Sequence, residues 1–130
     1  MPILCVGESE EQCQFGETEH RLRQQLRSGL ALFDTSSLGE VVIAYEPIWT
    51  IGARGRAALE QIQKVGALAR GVVAERSSEQ ATRTRVLYGG SVSADTAPTL
   101  LALDDVDGLL VGEPSLDADL FLSILNAVRS

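Results

Sequence analysis

The sequence predicts an α/β fold of four consecutive strand–helix units around a parallel sheet, and two observations carry that expectation. Four short apolar runs, Ile3 to Val6, Val41 to Tyr45, Val86 to Tyr88 and Val106 to Val111, read as buried strands. Each is followed by a polar or glycine-bearing connection (G-E-S, E-P-I-W, G-G-S, G-E-P-S) and then by a segment of helical character. Strands alternating with helices imply a parallel sheet with right-handed crossovers.

The helical segments justify themselves in order. Leu22, Leu26, Leu30 and Phe33 share one face, Ile62, Val65, Ala69, Val72 and Val73 a second, and Phe121, Ile124, Leu125 and Val128 a third. A shorter helix holds Leu100 and Leu101; Ser93 is its expected N-cap, with Asp95 in the first turn where a carboxylate meets the positive end of the dipole. Two architectures satisfy this order, an open doubly wound sheet and part of a closed (β/α)8 barrel. A barrel typically needs about 250 residues, so length alone favours the open sheet.

With 130 residues, 45% hydrophobic and 22% charged, the chain suits one domain spanning residues 1–130 rather than two domains or a disordered tail. A net charge of −7 disfavours nucleic acid and anionic membrane as partners, because both repel an anion. The arginines at 21, 23 and 27, and at 83 and 85, read as solvated faces. The two cysteines, Cys5 and Cys13, lack nearby His or Cys partners for zinc; Cys5 is expected as a reduced core thiol and Cys13 as a loop or helix-start thiol, in a cytoplasmic protein. The M-P-I-L-C-V-G-E start has neither a basic region nor a long apolar segment, so no leader is expected, and no run approaches the ~20 apolar residues of a membrane span.

In parallel α/β sheets ligands bind at the carboxyl ends of the strands, where all four polar connections fall. Glu46 ends its strand there, and Pro47, lacking an N–H, stops the ladder behind it. Glu46 is either a general base or an exposed turn carboxylate. Gly52 and Gly55, Gly89 and Gly90 before Ser91, and Gly112 before a helix near Ser115 either cradle an anion with backbone amides or turn the chain.

The succession P-I-L-C-V-G-E, V-V-I-A-Y-E-P-I-W-T-I-G, Y-G-G-S-V and D-G-L-L-V-G-x-x-S-L resembles the carboxyl-terminal half of the triosephosphate isomerase family. That resemblance covers nearly the whole chain and implies half of a (β/α)8 TIM barrel. It further implies isomerisation of glyceraldehyde 3-phosphate and dihydroxyacetone phosphate, in glycolysis and gluconeogenesis, without metal or cofactor. Glu46 would be the base and Pro47 to Arg56 the lid. On closure the Gly52 amide would meet the phosphate, and Ile51 with Leu110 would press on the carboxylate. Ser91 would donate to phosphate or lid, Gly90 would allow close backbone approach, and the Gly112 and Glu113 amides would complete the cradle. Tyr88 would steady the closed lid, and Glu8 would contact Trp49, whose other reading is plain core packing.

Three departures from the family pattern stand out. The lid reads I-G-A-R-G-R, with Arg54 where the family carries its second glycine, and Glu113 with Pro114 follows Gly112 where a second glycine is usual. Either points to the alternative of a related tetrose phosphate. The family's lysine and catalytic histidine lie on strands this chain lacks, and His20 and Lys64, both in helical segments, do not replace them. A half-barrel leaves two unpaired sheet edges, so association with a second copy (a homodimer) or with an amino-terminal half is expected. The remaining alternative is a non-catalytic sugar-phosphate-binding or structural half-barrel.

Overall fold

The computed structural model describes residues 1–52 and 55–129; Arg54 and its departure from the family lid lie outside the described residues. Four parallel strands, β1 (Ile3–Val6), β2 (Val42–Tyr45), β3 (Arg85–Tyr88) and β4 (Gly108–Leu109), lie side by side in the order of the chain. A doubly wound sheet reverses direction at a switch point, and this sheet does not. Sequential order with right-handed crossovers puts every helix on one side of the sheet, which is the winding of a barrel. The sheet is half of a (β/α)8 barrel, and the preference that length alone gave to an open sheet is overturned by strand order.

The register sets which side chains face which way. Cys5 pairs with Ala44 and Ala44 with Leu87, so these share one face, while Val6, Tyr45 and Tyr88 share the other. The outer face is the core: Val6, Ile43, Tyr45, Val86 and Tyr88 are buried beneath α2 (Thr18–Leu30) and α3 (Leu59–Ala74). Leu22, Leu26 and Leu30 of α2 and Ile62, Val65, Ala69, Val72 and Val73 of α3 are buried, as their spacing predicts. The Tyr45 and Tyr88 rings meet at 6.1 Å and a 57° tilt, an arrangement worth about 0.5–1.5 kcal/mol beyond area burial.

A short α1 (Glu10–Gln14) opens with a capping box: Ser9 Oγ accepts from Gln12 N–H at 3.2 Å while Gln12 Oε1 accepts from Ser9 N–H at 3.0 Å. Between α3 and β3 stands α4 (Ser78–Arg83), capped by Ser77, an element that periodicity did not reveal because six residues are too few to show one. The remaining helices are α5 (Ala97–Leu101) and α6 (Ala118–Arg129). No helix among the described residues is long and apolar enough to cross a membrane.

Four expectations need correction. Ser93 is not the cap of α5: it exchanges hydrogen bonds with Thr96 (Thr96 Oγ1 from Ser93 N–H at 2.9 Å, Ser93 Oγ from Thr96 N–H at 3.3 Å), closing a turn ahead of the helix. The helix starts only at Ala97, where Pro98 needs no N–H partner, so Asp95 lies in that turn instead of the first helical turn. Strand β4 is shorter than Val106 to Val111, because β4 pairs on one side only and Asp107 turns its carboxylate to the Val86 N–H at 2.7 Å. On α6 only Ile124 of the expected apolar face is buried, with Leu125 and Val128 exposed. Cys5 is not in the core: it lies on the concave face, which no helix covers, and is exposed.

Candidate active site

The carboxyl ends of β1, β2 and β3 converge on Glu46. Its backbone N–H extends the ladder to the Val6 carbonyl at 2.8 Å, and Gly89 N–H reaches the Tyr45 carbonyl at 2.8 Å, so three strands fix the base of the side chain. Strand parity then turns Glu46 onto the concave face with Cys5 and Ala44. A Cβ on Gly89 would stand 2.6 Å from Glu46 Cγ, 3.1 Å from Cδ and 3.3 Å from Oε2. Gly89 is therefore the wall on which the half-buried Glu46 side chain lies.

Cys5 shares the concave face with Glu46. Partial burial first, then the interaction with the Glu46 side chain and its negative charge, push the thiol from an ordinary value near 9 up to about 11. The residue as a whole is exposed, so it stays accessible to solvent although its thiol is held protonated. Sequence reasoning missed this neighbour; the signal was present in the two-residue alternation that puts Cys5 and Ala44 in register two positions before Glu46.

Behind the chain that leaves Glu46 lies a buried anchor. Glu8 is fully buried at the end of β1, and its Oε1 accepts from Tyr45 Oη at 3.1 Å, Trp49 Nε1 at 3.2 Å and Gln61 Nε2 at 3.0 Å. Gln61, from α3, also bonds Tyr45 Oη at 2.9 Å. Burial and then the Glu8 charge hold the Tyr45 hydroxyl far above its ordinary value, so it stays a donor. Trp49 is half-buried and tied to Glu8 by its indole N–H. No sequence signal marks Gln61, whose partners are brought to it only by the packing of α3.

A second anchor is Tyr88. Burial raises its hydroxyl pKa, partly offset by hydrogen bonds with the Thr50 side chain and the Ala57 backbone, groups that stand at the two ends of the 51–56 segment. A Cβ on Gly90 would overlap the Tyr88 hydroxyl and stand 2.7 Å from Thr50 Oγ1, so this glycine is demanded by the latch itself. Thr50 is locked in turn, its Oγ1 donating to the Pro47 carbonyl at 2.8 Å. Between the anchors, Ile48 and Ile51 are 58% and 48% exposed, so these apolar side chains stand in solvent. Gly52 has φ +73°, a conformation open to glycine at little cost.

The remaining expected residues are placed as follows. Ser91 and Leu110 are half-buried at the ends of β3 and β4, and Tyr88, Ser91 and Arg56 line one crevice of about 230 Å³. Gly112 and Glu113 are exposed at a 3₁₀ turn (Glu113–Leu116). Nothing would meet a Cβ on Gly112 or on Gly52, so neither glycine is required by packing, and the space beside each backbone is open to a ligand. His20, exposed on α2, and Lys64, exposed on α3 and paired with Glu60 at 2.8 Å, both lie on helices away from the strand ends. A larger cavity of about 620 Å³, lined by Cys13, Glu19, Gln61 and Lys64, opens on the outer helical side and does not include Glu46. Among the described residues no three His, Cys, Asp or Glu side chains converge as a metal would need.

Comparison with known proteins gives the family. The family model described as Triosephosphate isomerase matches residues 1–128. A triosephosphate isomerase of Xanthomonas euvesicatoria is 50% identical over 130 residues, covering 100% of this chain and 52% of the relative. One from Xanthomonas oryzae is 50% identical over 129 residues (99% and 51%), and one from Cupriavidus pinatubonensis 45% over 127 residues (98% and 52%). The chain spans about half the length of the curated relatives it matches. It belongs to the triosephosphate isomerase family.

Proposed function

We propose that this chain supplies the base, the lid and the phosphate-binding loops of an aldose–ketose isomerase acting on dihydroxyacetone phosphate and glyceraldehyde 3-phosphate. The observation that carries the reading is the Glu46–Pro47 joint. One carboxylate stands on the concave face at a strand end, walled by Gly89, and the next residues enter a segment pinned by Glu8 and Tyr88 at its roots.

In this reading Glu46 takes the proton from the substrate carbon beside the carbonyl and returns it to the neighbouring carbon. The N–H groups of Gly52, Gly112 and Glu113, with the Ser91 hydroxyl, hold the phosphate while this occurs. Closure brings the exposed Ile51 over the carboxylate beside Leu110, and losing water strengthens the base. For a chain of net charge −7, neutral backbone donors are the means of holding an anion. A base of this kind contributes roughly 10²–10⁴ in rate, and the rest of the acceleration requires a group that polarises the carbonyl. His20 and Lys64 are not that group, so a partner must provide it.

The partner of this reading is an amino-terminal half-barrel. β1 and β4 are open edges, Ile3 and Cys5 stand exposed on the concave face, and Leu120, Leu122, Leu125 and Val128 of α6 are exposed. Two edges and one uncovered face fit four further strands closing a barrel. A coupled assay with dihydroxyacetone phosphate, run on the chain alone and mixed with the amino-terminal half of the Xanthomonas relative, tests both claims. Turnover is expected in the mixture; none in either case contradicts the isomerase reading.

A further inference from the structure

Gln25, on α2, makes a reciprocal pair of hydrogen bonds with one backbone residue: its Oε1 accepts from Gly7 N–H at 2.9 Å and its Nε2 donates to the Gly7 carbonyl at 3.0 Å. Backbone groups alternate in direction along a parallel strand. The Val6 carbonyl accepts from Glu46 N–H at 2.8 Å and the Glu8 carbonyl from Ile48 N–H at 3.0 Å, so Gly7 between them turns its own groups away from β2. β1 is an edge strand, and the half-buried Gln25 amide supplies there what a neighbouring strand otherwise would.

Gly7 is buried, and a Cβ on it would overlap the Glu46 carbonyl oxygen and stand 3.3 Å from Pro47 N. The Gly7 peptide is thus the floor beneath the Glu46–Pro47 joint. We propose that Gln25 is a positioning residue for Glu46: by clamping both polar groups of Gly7 it fixes the height of the peptide that carries the carboxylate and begins the lid. An uncharged amide does this without placing a second charge near the base. The inference rests on the isomerase reading for what Glu46 does, though not for where Glu46 is held.

Gln25→Met removes both bonds at nearly constant volume; Gln25→Glu keeps the acceptor and, while ionised, loses the donor. The first readout needs no activity. In the full chain, alkylation of Cys5 is followed against pH, resolved from Cys13 by fragmentation mass spectrometry, with folding checked by circular dichroism. The wild-type midpoint should lie near 11, set partly by Glu46, and should fall by roughly half a pH unit or more in Gln25→Met and by less in Gln25→Glu.

The second readout is kinetic, in the chain assembled with an amino-terminal half. Turnover should drop about 10-fold in Gln25→Met with KM changed less than about twofold. The deficit of Gln25→Glu should shrink as acid protonates the new carboxyl and restores the donor. Folded variants that keep the wild-type Cys5 midpoint and turnover overturn the proposal, as does a KM that rises in step with the lost turnover. If Gln25→Met does not fold, Gln25→Glu decides by the same criteria. An inactive wild-type assembly sinks the isomerase reading and leaves the Cys5 titration to judge Gln25.

Discussion

Replacing Gly89 by alanine separates the packing of Glu46 from the stability of the fold. The added Cβ would lie 2.6 Å from Glu46 Cγ, whereas carbon atoms rest about 3.5–4.0 Å apart, so the side chain must retreat by roughly 1 Å. Among the described glycines only Gly16 and Gly52 have positive φ, so the Gly89 backbone accepts a side chain without strain. Stability should change by less than about 1 kcal/mol. A reacting group misplaced by about 1 Å costs on the order of 10²-fold in rate, equivalent to about 2.7 kcal/mol of barrier. Steady-state kinetics of the assembled barrel should show that loss in kcat with KM nearly unchanged, beside a thermal midpoint within a few degrees of wild type. A Gly89→Ala protein that turns over within threefold of wild type would refute the contact as a constraint on the base.

Arg70 donates to Asp105 Oδ1 at 2.9 Å, to the Thr84 carbonyl at 2.6 Å and to Asp107 Oδ2 at 2.5 Å, with its side chain 22% exposed. Arg70→Met leaves two carboxylates and a carbonyl without their cation and should lower stability by about 2–3 kcal/mol, discounted for partial exposure; a urea midpoint matching wild type would contradict this. Alkaline pH should destabilise the fold, because the folded state holds protons that the unfolded state releases. Cys5 stabilises fully below pH 9, and that contribution is lost as pH rises toward about 11, while Tyr45 adds a loss above 10. Denaturation curves that stay flat from pH 8.5 to 11 would show that the two groups are not held as described. The open edges predict association, so sedimentation at low concentration should not show a stable, well-folded monomer.

Periodicity made three strands and the main helices legible, since Leu22, Leu26 and Leu30, or Ile62, Val65 and Ala69, can be buried together only at helical spacing. Direction of winding was not legible, because the same units serve an open sheet or a barrel until strand order is known. For the same reason Cys5 read as core: an apolar run does not say that one of its faces is concave and, in half a barrel, uncovered. Ser93 misled because a cap motif also closes an isolated turn when proline follows. At the candidate site, the place of Glu46 and the glycine connections at the strand ends was legible, because the order of apolar runs put them there. Gln25 and Gln61 did not, because each acts through partners at least 16 residues distant that only packing brings near.

The most direct measurement of the central claim is exchange of carbon-bound hydrogen. Dihydroxyacetone phosphate is incubated in D2O with the chain and an amino-terminal half, and deuterium entering the carbon beside the carbonyl is followed by NMR. If Glu46 is the base, the wild-type assembly exchanges that proton and Glu46→Gln slows exchange by roughly 10³-fold or more while still binding the phosphate. Exchange that survives Glu46→Gln at a comparable rate would mean the base lies elsewhere.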